Sequence, residues 1–163
     1  MDVRYINPFV RAIRNVFATM LKTEVNVQKP HVKHDGRTSA DVSGVIGFSG
    51  DATGCVVLSF PKEVACKAAS TFAGTEITLE SPDLVDAIGE LANMVAGNAK
   101  KDFEGVRISI SLPSVIIGED HVVGQSRMVP RLVIPCCSPL GDFYVEVAMK
   151  VDKPVMVVQG ALV

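Results

Sequence analysis

Hydrophobic and polar residues alternate with helical periodicity from Ser81 to Glu104, the longest such stretch in the chain. At about 100° per residue, one side of the predicted helix is a hydrophobic stripe of Leu84, Ile88, Leu91, Val95 and Ala99. On the opposite side, within about 40° of Asp86, lie Glu90, Asn93 and Gly97. The pattern therefore predicts a helix that packs on a core and presents two carboxylates, a carboxamide and a glycine in one line.

The ends of this stretch carry the expected helix signals. Ser81 is a candidate N-cap, Pro82 suits the first helical position, and acidic residues follow in the first turn. Gly97 breaks the pattern, because a glycine inside a helix costs about 1 kcal/mol relative to alanine. Two explanations remain open: another surface approaches closely at Gly97, or the polar line is a solvated face with an incidental glycine.

Two further helices are predicted. Asn7-Pro8 marks the start of an amphipathic helix whose apolar positions are Phe9, Val10, Ile13, Phe17, Met20 and Leu21. We expect this helix to cover a sheet. The segment from Lys62 to Phe72 is also helical in pattern, and Gly74 is a plausible C-terminal stop.

The remaining apolar segments alternate as strands do. They are a short strand with Val25, Val27 and Val32; a hairpin of 41–49 and 54–60 about the loop 50–54; 106–111; a hairpin of 115–117 and 121–124 about the turn 118–120; paired strands in 132–137 and 143–151; and a last strand at 155–158. Short connections favour antiparallel pairing. The predicted fold is a single α+β domain over residues 1–163, a two-layer sandwich of a mainly antiparallel sheet with long helices packed on it.

Composition limits the function. The chain has 163 residues, 48% of them hydrophobic, and a net charge of −2. This charge gives no reason to expect a nucleic-acid surface or a polybasic membrane contact. We also expect no membrane span or signal peptide and a cytoplasmic location. The four cysteines do not pattern as a zinc site and are expected to be buried reduced thiols.

Familiar catalytic signatures are missing from the sequence: there is no Walker loop, GxGxxG, GxSxG or HExxH motif. His31 and His34, with Asp35 beside the latter, make a metal site conceivable, but isolated loop histidines are usually solvent-exposed and we predict no metal site. We expect His121 to be a surface or edge residue. The polar line on the helix is therefore the best candidate for a functional site.

The segment from Asp86 to Ala99 resembles the helix motif of the CheC/CheX/FliY phosphatases of bacterial chemotaxis. In that motif an Asp or Ser is followed after three residues by Glu and after two more by Asn, which matches Asp86, Glu90 and Asn93. The resemblance continues through 111–118 and 134–147 and covers most of the chain from Asp41 to Val151. Because the first helix lacks the motif, the single copy resembles the CheX branch.

The resemblance implies a function and a partner. Members of this family remove the phosphoryl group from the phosphoaspartate of a CheY-type receiver domain, which itself supplies a Mg²⁺ ion and a lysine. This chain would then bind no cofactor. By the same resemblance, Asn93 orients the attacking water, Glu90 pairs with the partner's lysine, Asp86 supports docking, and the protein forms a homodimer whose sheets join edge to edge.

The role of Gly97 rests on the cost of the glycine and not on the family. Together with Ala96 it would let the partner's backbone come close. We also expect an exposed, shallow face at the motif, because much of the active site would come from the partner.

Two alternatives keep different functions open. The chain could be a module of the same fold that binds and sequesters the response regulator without turnover. It could also be an unrelated α+β domain in which the polar line is only a solvated helix face.

Overall fold

The computed structural model describes residues 3–33, 39–124, 128–152 and 156–157. It contains three α-helices, α1 (Asn7–Met20), α2 (Lys62–Ala73) and α3 (Asp83–Lys101). A short 3₁₀ helix, Val3–Tyr5, precedes α1. The strands in the described part of the chain are β1 (Asn26–Val27), β2 (His31–Val32), β3 (Ala40–Gly50), β4 (Ala52–Phe60), β5 (Phe103–Glu104), β6 (Ile108–Ile110), β7 (Ser114–His121), β8 (Arg131–Cys137), β9 (Phe143–Val151) and β10 (Met156–Val157).

Every strand pair in the described residues is antiparallel. The main sheet has the order β1-β8-β9-β4-β3-β6, with β2 also paired to β8 and β7 also paired to β3. The short strands β1 and β2 therefore form one edge, and β6 and β7 form the other. A separate two-stranded sheet joins β10 to β5.

The hydrophobic core lies on one face of the main sheet. Alternate residues of the central strands, such as Val42 on β3 and Leu58 on β4, form one cluster with residues of all three helices. On α1, Phe17 stacks on Phe143 of β9 with ring centroids 4.7 Å apart. These contacts confirm the predicted two-layer α+β architecture and the role of α1 as a helix that covers the sheet.

The opposite face of the sheet carries a buried ionic cluster. The Glu146 carboxylate accepts hydrogen bonds from Lys33 Nζ at 3.1 Å and from Arg131 Nη1 at 3.0 Å. All three side chains are buried. The cluster links β8 and β9 to Lys33, the residue that follows β2, on the sheet face away from the helices.

The predicted hairpin at residues 115–124 is wrong. The structure has one continuous strand, β7, where the residues from Gly118 to Asp120 were expected to turn. Asp120 does adopt a left-handed conformation, with φ of 50°. It does so at an irregularity opposite Ala40 and Val42, where the pairing register of β7 with β3 shifts. Turn-forming residues thus mark a β-bulge here and not a chain reversal.

Three smaller expectations also need correction. Ser81 does not cap α3, because its hydroxyl accepts a hydrogen bond from the Thr78 backbone N–H at 2.9 Å. Helix α3 ends at Lys101, and the predicted last turn forms β5 instead. The single first strand is two strands, β1 and β2. The prediction for α2 is confirmed, since Gly74 ends it in the left-handed conformation with φ of 70°.

Candidate functional site

Two glycines allow helix α3 to pack closely against its neighbours, one in the sheet and one in the helix itself. A Cβ added to Gly44 of β3 would lie 2.9 Å from the Ala92 Cβ. A Cβ on Gly89 would lie 3.3 Å from Pro113 Cγ in the segment between β6 and β7. Both distances are shorter than ordinary carbon contacts. The helix therefore sits close to β3 on one side and to the start of β7 on the other.

This placement separates the two sides of α3 as the periodicity predicts. Each residue of the hydrophobic stripe is buried: Leu84, Ile88, Leu91, Val95 and Ala99. Asp86 and Glu90 are exposed, and Asn93 and Gly97 are half-buried. The predicted site residues thus share one accessible helix face. Ala96, in contrast, is fully buried and is not part of this face, so the expectation that it helps a partner's backbone come close is wrong.

The motif side chains have no polar partner in the described part of the chain. Among the described residues, Asp86, Glu90 and Asn93 make no side-chain hydrogen bond or ion pair. Asn98 lies five residues further along α3 and behaves differently, since its Nδ2 donates to the Met94 carbonyl oxygen at 2.8 Å. Of these two asparagines, Asn93 is the one whose amide remains available for a water molecule or a partner.

An open groove adjoins the motif. It has a volume of about 550 Å³ and is bordered by Asp86 and Glu90 on α3 and by Pro113 and Val115 beyond it. Phe72, near the end of α2, also lines it. These neighbours of α3 are not evident from the sequence, because they come from two separate segments, near 72 and at 113–115, and no local pattern joins them to the motif.

A serine–histidine pair elsewhere in the molecule is structural. His121 Nε2 lies 2.8 Å from Ser43 Oγ, and its Nδ1 lies 2.8 Å from the Gly118 carbonyl oxygen. The carbonyl can only accept, so Nδ1 carries a proton. Ser43 is fully buried and cannot reach a substrate. The pair ties the edge strand β7 to β3, which fits the edge position predicted for His121 while revealing a contact that was not predicted.

The thiols are poor nucleophile candidates. All four cysteines are free, but only Cys136 is buried; Cys55, Cys66 and Cys137 are partly exposed, so the expectation of burial is wrong for these three. Burial raises the pKa of Cys136 to about 12. A hydrogen bond with Asp142 raises the pKa of Cys137, because the thiol form donates to the carboxylate. At neutral pH both groups remain largely protonated, and a thiolate is the reactive form.

Among the described residues, no group of three or more His, Cys, Asp or Glu side chains is arranged to hold a metal ion. His34 and Asp35, part of the conceivable loop site, lie outside the described residues. None of the described helices is both long enough and apolar enough to cross a membrane.

Known proteins resemble this chain over most of its length. It is 28% identical over 153 residues to the CheY-P phosphatase CheX of Thermotoga maritima, covering 92% of this chain and 98% of the relative. A CheC-like superfamily protein from Shewanella sp. PV-4 has a crystal structure that matches with a TM-score of 0.83 and 30% identity, covering 92% of this chain and 99% of that one.

A third match is a crystal structure of a complex. CheX of Borrelia burgdorferi, solved with CheY, BeF₃ and Mg²⁺, matches with a TM-score of 0.75 and 25% identity, covering 90% of this chain and 97% of that one. The family model described as chemotaxis phosphatase CheX matches residues 42–137, which include α3 and the motif. The chain therefore belongs to the CheX family of chemotaxis phosphatases.

Proposed function

We propose that this protein dephosphorylates the phosphoaspartate of a CheY-type receiver domain, with the polar face of α3 as its catalytic surface. One observation carries the proposal: Glu90 and Asn93 share an accessible helix face and have no partner in the described part of the fold. Family membership removes the alternative of an unrelated α+β domain. The name of the Thermotoga relative and the CheX–CheY complex of the Borrelia relative support the choice of partner.

The reaction is hydrolysis of an acyl phosphate. A water molecule attacks phosphorus in line, the bond from phosphorus to the aspartyl oxygen breaks, and inorganic phosphate and a free carboxylate are formed. Such a reaction depends mainly on positioning the nucleophile and stabilising the charge on the phosphoryl group. The Asn93 amide suits the first task, because it can accept from and donate to the water without adding negative charge beside the phosphoryl group.

Glu90 serves recognition. Its exposed carboxylate lies one turn before Asn93 and would pair with the lysine of the receiver's active site, which fixes the position of α3 along the phosphoryl group. Asp86 extends the same acidic line and supports docking. Mg²⁺ would be held by the receiver domain, and this chain would contribute no ligand to it.

The protein would act in the cytoplasm, where receiver domains work, and as a homodimer. The eight-residue strand β7 lies at a sheet edge and is paired on one side to β3 within the described residues. An edge strand of this length offers backbone groups for pairing with a second copy. Sedimentation of the purified protein over a range of concentrations tests the dimer.

Phosphate release from a phosphorylated receiver domain tests the activity. We expect wild-type protein to accelerate release, and Asn93→Ala to lose about a hundredfold or more of that acceleration. Asn98→Ala is the matched control, because Asn98 bonds to its own helix. Glu90→Gln should also lose activity, whereas Glu76→Gln, at an exposed position in the loop before α3 and outside the motif, should not.

The same assay distinguishes a phosphatase from the remaining alternative, a module that sequesters the receiver domain without turnover. A sequestering module would bind the phosphorylated receiver tightly without accelerating phosphate release. That result, or equal activity of the Asn93→Ala and Asn98→Ala variants, would contradict the catalytic role of Asn93.

A further inference from the structure

The groove beside the motif is lined by two chemically different sets of side chains. The acidic set consists of Asp83, Asp86 and Glu90 of α3. Its apolar lining comprises Phe72, Val85, Pro113 and Val115. No lysine or arginine is among the described residues that border it. The groove is therefore suited to a ligand that is both apolar and cationic.

Two exposed apolar residues are associated with the groove. Val85, which lines it, is 44% exposed, and Leu112, which precedes Pro113 in the chain, is 88% exposed. Exposed apolar side chains gathered beside a groove often mark an interaction site. Pro113 makes the contact of this segment with Gly89 of α3. The exposed Leu112 side chain is therefore not what holds the segment against the helix.

The groove and the catalytic face share residues. Asp86 and Glu90 border the groove and also belong to the polar line that ends at Asn93. A partner that brings a cation to Glu90 must therefore lie over the apolar lining as well. This continuity, together with the negative charge of the lining, favours the partner of the catalytic face as the occupant of the groove.

We propose that the groove is the docking site for a surface segment of the receiver domain in which an apolar side chain stands next to a lysine or arginine. The inference rests on the proposed function and deepens it. Glu90 and Asn93 act on the phosphorylated centre, whereas Val85, Leu112 and Pro113 hold the neighbouring segment. Affinity for the receiver domain thus comes largely from residues outside the motif.

Substitutions of exposed residues test the proposal with little risk to folding. Val85→Ser and Leu112→Ser remove the apolar surface and leave the motif intact. The chain offers matched controls in Val32, which is 39% exposed on the opposite edge of the sheet, and Met128, which is 88% exposed. Binding is measured by titration with a CheY-type receiver domain carrying beryllofluoride and Mg²⁺, and thermal unfolding verifies that each variant is folded.

We expect Val85→Ser and Leu112→Ser each to weaken binding by roughly tenfold, as the loss of a buried aliphatic side chain predicts. Their KM for the phosphorylated receiver should rise with little change in kcat. Val32→Ser and Met128→Ser should behave as wild type. Asn93→Ala should show the reverse pattern, with binding retained and kcat lost.

Other results would overturn the inference in distinguishable ways. If the groove variants bind and turn over as wild type does, the proposed function stands and the docking site lies elsewhere. If wild-type protein neither binds nor dephosphorylates the receiver, the proposed function fails and the inference fails with it. If the groove variants bind normally but dissociate a dimer during sedimentation, the groove is an interface between two copies of this chain.

Discussion

Gly44 of β3 lies directly under Ala92 of α3, so close that a Cβ at residue 44 would come within 2.9 Å of the Ala92 Cβ and 3.2 Å of the Ile88 carbonyl oxygen. We predict that Gly44→Ala pushes α3 away from the sheet, because neither neighbour is the end of a flexible side chain. The expected cost is about 1–3 kcal/mol in the free energy of unfolding, together with a lower kcat/KM. Denaturant titration and the phosphate-release assay measure both.

Gly47 of the same strand is the control for this prediction. A Cβ there would lie 3.6 Å from Ser111 Oγ, which is an ordinary contact. Gly47→Ala should therefore retain wild-type stability within about 1 kcal/mol. Equal losses in the two variants would show that the close approach at Gly44 is not the cause.

Gly97→Ala distinguishes an effect on the stability of the fold from an effect on contact with the partner. A Cβ at this position meets nothing within 4 Å in the described chain. The substitution should raise the free energy of unfolding by up to about 1 kcal/mol, because alanine favours the helix. If the receiver's backbone approaches closely here, phosphatase activity should fall while stability rises. Unchanged activity would refute a role for Gly97 in contact with the partner.

Asp41 gives the fold a defined dependence on pH. Its carboxylate accepts hydrogen bonds from the backbone N–H of Lys62 at 2.9 Å and of Asp120 at 3.2 Å. These bonds, the one from Lys62 first, hold the pKa of Asp41 below its ordinary value. A lowered folded-state pKa means that the carboxylate stabilises the fold above its unfolded-state pKa and loses this effect as the pH falls through the folded-state value.

We therefore predict that Asp41→Ala costs about 1 kcal/mol at pH 7, as loss of a helix cap does. The difference from wild type should shrink between about pH 5 and pH 2. Asp152→Ala is a control, since among the described residues the Asp152 carboxylate forms a long, exposed ion pair with Lys150, 3.7 Å apart. Denaturant titrations at several pH values measure the trend, and a difference that grows in acid would contradict it.

The buried cluster of Lys33, Glu146 and Arg131 should matter for stability and not for catalysis. Glu146→Gln leaves two buried cations without their anion, which we expect to cost about 3–5 kcal/mol. Glu119→Gln breaks the exposed pair with Lys62 and should cost less than about 1 kcal/mol. The phosphatase activity of folded Glu146→Gln protein should be unchanged, because the cluster lies on the sheet face opposite α3.

The sequence predicted α3 and its polar line well because both depend on local periodicity and on residues close together in the chain. The hairpin at 115–124 was predicted wrongly because Gly118 and Asp120 suit a β-bulge as well as a turn, and only pairing with β3 decides between them. The groove was missed for a related reason. Phe72, Val85 and Pro113 meet only through tertiary packing, and no spacing in the sequence brings them together.

The pair of Glu90 and Asn93 has a consequence for how the site assembles. The two residues lie three positions apart on one helix, so hydrogen bonding within that helix sets their separation. No chain segment has to close for them to meet, and their juxtaposition carries none of the loop-closure entropy that sites built from distant segments require. The groove does depend on such long-range closure. Partial loosening of the tertiary packing should therefore abolish recognition of the receiver domain while the two motif side chains keep their relative geometry.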